Sequence, residues 1–99
     1  MDDKYQLVET TFMMDFDIAD AFGIGAIQET FNRAFKEWKH DYKMLTALVI
    51  ALNNKLWHHW ELGRHDYGLL YDKLWKEADH YAVTHLKGEE LKYFYIVTD

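Results

Sequence analysis

The chain has 99 residues, room for one domain and no more. A composition of 49% hydrophobic and 28% charged residues excludes a disordered chain, and the absence of Cys excludes a disulfide scaffold and thiolate zinc sites. The net charge of −6 lies entirely in residues 1–32, where Lys4 alone faces seven acids, so non-specific binding to nucleic acid is disfavoured.

The N-terminus, Met1-Asp2-Asp3-Lys4, has neither the basic nor the apolar region of a secretory signal. The loose alternation of Tyr5 to Thr10 reads as an extended arm within residues 1–10. A first helix is predicted from about Thr11 to Phe22, with Phe12, Phe16, Ala19 and Phe22 inward and Gly23 closing it. A second follows from Gly25 or Ala26 to His40, on a stripe of Ile27, Phe31, Ala34, Phe35 and Trp38.

The third helix, about Tyr42 to Leu62, is apolar nearly all round in its first half, the mark of a helix buried against several neighbours. Its main stripe is Leu45, Val49, Leu52, Leu56 and Trp60. Its longest apolar run, Met44 to Leu52, is far short of the ~20 residues that span a bilayer. The reading is therefore a cytoplasmic protein with no membrane segment. A continuous helix over 26–62 would be about 55 Å long, more than a compact domain of this size holds. A turn at His40-Asp41-Tyr42, capped by Asp41, is preferred.

Gly63 stops the third helix, and Asp66 suits the N-cap of a fourth, about Tyr67 to Leu86. Its inner face reads Tyr67, Tyr71, Leu74, Ala78, Tyr81 and His85. After Gly88, Glu89 and Glu90 favour a last helix, although Tyr93-Phe94-Tyr95-Ile96-Val97 has strong strand propensity.

Four constellations invite chemistry. Glu37 with His40 and Glu77 with His80 are both Glu-x-x-His, the ligand pattern of di-iron bundles. Taking about 100° per residue, all four project away from their apolar stripes, so they read as solvated residues and no metal is expected. His58, His59, His80 and His85 are a second set. His59 borders the apolar stripe of its helix and His85 lies within that of the fourth, where a neutral histidine bonded to a carbonyl or a Tyr hydroxyl is expected.

Residues 17–35 resemble a degenerate helix-turn-helix, with Ala19 four residues before Gly23. The second helix departs from the motif, because apolar residues fall at Ile27 and Phe31 instead of Glu29 and Asn32. Arg33, Lys36, Lys39, His40 and Lys43 form a basic stripe opposite Ile27 and Phe31, the candidate interaction surface. No nucleophile triad, phosphate-cradling loop or catalytic carboxylate pair stands out.

Ile18-Ala19-Asp20-Ala21-Phe22-Gly23, then Thr30 to Phe35 with Trp38, Leu52-Asn53 before Trp57, and the close from Leu86 to Leu91 with Tyr93-Phe94 and Thr98-Asp99 carry a resemblance. The chain resembles a family of small proteins from bacterial prophages and conjugative elements that has no established activity. The resemblance covers most of the chain and implies a regulator or inhibitor that acts by binding another protein.

The sequence thus predicts an all-α bundle of four to five helices, with the third helix central. The expected function is non-enzymatic protein interaction, with a DNA-binding regulator as the alternative. No cofactor is expected. The partner is a protein, and a homodimer is its simplest form, since 17% aromatic residues are more than a chain this small easily hides.

Overall fold

Asp41 is extended (φ −103°, ψ 108°) and its carboxylate accepts from the backbone N–H of Lys43 and Met44. This cap separates the second and third helices at the turn that the sequence indicates. The computed structural model describes residues 3–98, and side chains from Thr10 onward. Met1 and Asp2 lie outside the described residues.

The described residues form five α-helices and no strand: α1 (Asp3–Asp20), α2 (Ile24–Trp38), α3 (Tyr42–Glu61), α4 (His65–His85) and α5 (Glu89–Thr98). The helices fold around α3, which packs against each of the other four, into a body of 37 × 26 × 23 Å. The apolar first half of α3 is the reason. The five successive residues Leu45, Thr46, Ala47, Leu48 and Val49 go right round the helix and are all buried, Leu52 and Leu56 continue the buried face, and the Thr46 hydroxyl donates to the Tyr42 carbonyl. Phe16 from α1, Ile27 and Phe31 from α2, Leu74 from α4 and Phe94 from α5 complete the core.

Several expectations are corrected. The extended arm is instead helical, because α1 begins at Asp3. Phe22 is not inward: α1 ends at Asp20, the phenyl falls in the following turn, and it is 80% exposed. Trp38 is only half-buried at the end of α2. Asp66 is not the N-cap of α4, which starts one residue before it at His65, leaving Asp66 in the first turn. His85 is exposed and stacks on the Tyr81 ring at 4.1 Å instead of entering the core, where Leu70 and Ala82 take the inner positions.

The strand propensity of 93–97 yields to packing. Phe94 lies parallel to Trp75 at 5.6 Å, and Tyr93 meets Tyr42 edge-on at 5.4 Å. One helical turn brings these rings onto α4 and α3 and fixes α5 as a helix.

Candidate functional site

The ends of α3 and α4 that meet at the 62–64 turn carry two adjoining features, a polar relay and an aromatic groove. Both arise from the helical register of 53–60. At about 100° per residue, Lys55 and His59 share one face of α3, and Asn53, Leu56, Trp57 and Trp60 share another about 130° away.

The relay faces α1. His59 is buried, and its Nε2 lies 2.9 Å from Oδ2 of Asp20. The Arg64 guanidinium contacts Nδ1 of the same ring. A guanidinium only donates, so Nδ1 accepts, and Nε2–H donates to the Asp20 carboxylate. Lys55 joins from the adjacent turn of α3, with its ammonium 2.6 Å from Asp17 and 3.3 Å from Asp20.

Burial pushes the Asp20 carboxyl up, but His59 first, and then the hydrogen bond and charge of Lys55, outweigh it and leave its pKa lowered. Lys55 is the mirror case. Burial pushes its pKa down, and Asp17 and then Asp20 raise it above the usual value. The ring of His59 also stacks on Tyr67 at 4.0 Å, and the Arg64 N–H donates to the His59 carbonyl. The relay therefore ties α1 to α3 and fixes the residue that precedes α4. His59 is buried as expected, but its partners are a carboxylate and a guanidinium instead of a carbonyl or a hydroxyl.

On the other face, α3 and α4 leave a groove of about 520 Å³ whose walls include Leu56, Trp57, Trp60, Leu69 and Tyr71, with Asn53, His65 and Asp72 beside them. Gly68 creates part of this space. A Cβ at that position would stand 2.7 Å from Cδ1 of Trp60, so the indole lies directly against the α4 backbone. Trp57 and Trp60 contact each other with centroids 4.9 Å apart, and the Trp57 indole N–H donates to Glu61 at 2.7 Å. Both indoles remain about half exposed, and Leu69 is 70% exposed. Burial pushes the Tyr71 phenol up, aided by the Asp72 charge, so it stays protonated and neutral at pH 7.

The basic stripe is not one uniform surface. Lys39 lies over the Phe35 and Tyr81 rings at 5.6 and 5.3 Å, and Lys43 over Tyr42 at 5.9 Å. Lys36 and His40 are exposed. Arg33 lines shallow hollows between α1 and α2, one with Glu37 and the other with Glu29, and Asp15 borders both. Glu37, His40, Glu77 and His80 are all exposed, as their helical phase indicates. Among the described residues no group of three or more His, Asp or Glu is placed to hold a metal.

At the 17–35 corner Gly23 has φ 110°, which suits glycine, and Ala19 is buried. Ile27 and Phe31 fill the interior, while Glu29 and Asn32 face outward.

Periodicity alone does not reveal the groove, because Trp60 falls on the apolar stripe and so reads as core. Gly68 is the signal that points to it, since a glycine inside a helical pattern needs a packing reason. No family model matches the chain, and neither a curated protein nor a solved structure does. The class is therefore the one its own fold defines, an all-α bundle of five helices with a central α3. None of its described helices is long and apolar enough to cross a membrane.

Proposed function

We propose that the protein is a non-enzymatic, cytoplasmic interaction protein of a mobile element, and that it engages a protein partner through the groove between α3 and α4. The observation that carries this reading is the pair Trp57 and Trp60, half exposed side by side at a groove of about 520 Å³. Contiguous exposed apolar patches mark interaction sites, and Trp is enriched among residues that dominate binding energy.

The polar chemistry nearby supports binding over catalysis. His59 has both ring nitrogens engaged, by Asp20 and by Arg64, which leaves neither for proton transfer to a substrate. The origin in a mobile element rests on the resemblance alone.

Charges that are already engaged favour one surface over the other. In the basic stripe, Lys39 and Lys43 lie over aromatic rings, and in the acidic segment Asp17 and Asp20 hold Lys55. Fewer charges are left for the stripe to pair with the acidic segment of a second copy. The aromatic groove, and a partner of a different sequence, are therefore favoured.

Quantitative affinity capture from cells that naturally make the protein tests this. Wild type and Lys36→Glu should retain the same protein, and Leu69→Asp should lose it. Capture unaffected by Leu69→Asp would overturn the groove as the binding surface.

A further inference from the structure

The charges around the groove are sorted by sign. Residues 53–72 contain two cations, Lys55 and Arg64, and three acids, Glu61, Asp66 and Asp72. Both cations turn to the α1 side, Lys55 to Asp17 and Asp20, and Arg64 to His59. The groove itself is lined by no Lys or Arg. Asp72 stands in its wall, and the Glu61 carboxylate is held at the aromatic pair by the Trp57 indole N–H. The relay that fixes the start of α4 thus also holds Lys55 and Arg64 away from the groove.

The groove's shape restricts the occupant further. Its α3 wall runs from Asn53 to Trp60, about 10 Å at 1.5 Å per residue, or two helical turns. Two apolar side chains three or four residues apart on a helix would fit along that length, the spacing of helix-in-groove recognition.

Resting on the interaction reading above, we propose that the groove takes a short amphipathic helix of another protein, with two apolar anchors at that spacing and Lys or Arg beside them. Trp57, Trp60 and Leu69 receive the anchors. Glu61 and Asp72 meet the basic residues, and the exposed indole faces add attraction for a nearby cation. Charge complementarity of this kind sets partner choice and association rate more than affinity.

The test is selection of random displayed peptides on the folded full chain, with counter-selection on Leu69→Asp so that only groove-dependent clones survive. Survivors should be enriched in Lys and Arg around two apolar residues three or four apart. Neutralising both acids, Glu61→Gln with Asp72→Asn, should weaken a surviving peptide by about 3- to 30-fold at low salt and flatten its salt dependence. Survivors that are acidic or uncharged, or that bind the neutralised variant equally well, would overturn the basic-partner inference and leave the groove as a protein site. Survival of no clone would overturn both the inference and the groove reading.

Discussion

Replacing His59 by Phe keeps an aromatic ring against Tyr67 and removes both hydrogen bonds of the imidazole. Arg64 is exposed and can rehydrate, so its loss costs little. Asp20 suffers more, because its side chain is only 20% exposed and keeps Lys55 alone. A hydrogen bond to a charged group is worth about 1.5–3 kcal/mol. In a domain of this size each kcal/mol moves Tm by roughly 4–8 °C, so the expected drop is about 6–24 °C.

A thermal melt measures the drop, and a double-mutant cycle with Asp20→Ala assigns it. If the His59–Asp20 bond carries the effect, the two substitutions together cost less than their sum by more than ~0.5 kcal/mol, beyond the scatter of independent sites. Additive costs would refute the relay as a coupled unit, whatever the size of each single loss.

Three further outcomes follow from the relay, the core and the groove. Asp20 has a lowered folded pKa, so its stabilisation is complete above the unfolded carboxyl value near pH ~4 and disappears as pH falls through the folded value. The Tm deficit of Asp20→Asn should be full at pH 7 and shrink in acid, and a deficit unchanged down to pH ~2 would contradict this. Leu52→Ala, in the fully buried face of α3, should cost about 2–5 kcal/mol, and an unchanged thermal melt would show that α3 is not central. Gly68→Ala should displace the Trp60 indole and alter the near-ultraviolet circular dichroism. Its Tm should shift little, because removing a helical glycine returns about 1 kcal/mol. A near-ultraviolet spectrum superimposable on wild type would contradict the close approach.

The bundle is legible in the sequence where one local signal dominates. Asp41 caps α3 where its side chain and position indicate, Gly63 and Gly88 take the left-handed backbone, and the apolar girth of 44–52 marks the central helix. The N-terminal arm and α5 are less legible. In α5 the strand propensity of 93–97 competes with ring packing against Trp75 and Tyr42, and tertiary contact wins. The candidate site is the least legible part. The pairing of His59 with Asp20 spans 39 residues, and no spacing rule links them. Trp60 has the periodicity of a core residue, but beyond Leu56 the buried face of α3 passes to His59 and leaves the indole half open. The basic stripe is visible as sequence, and Lys39 over Phe35 and Lys43 over Tyr42 are local contacts, yet the contact of Lys39 with Tyr81 emerges only when α2 and α4 assemble.

The central claim is that the groove, and not the basic stripe, meets the partner. Photo-crosslinking in the cells that make the protein decides it, with a photoreactive amino acid placed at Leu69 in one variant and at Lys36 in another. Both positions are exposed, so both probes report on their surroundings without disturbing the core. The expected result is one discrete protein adduct from position 69, abolished by Trp60→Ala, and none from position 36. An adduct from position 36 alone would contradict the claim and move the interface to Arg33, Lys36, Lys39, His40 and Lys43.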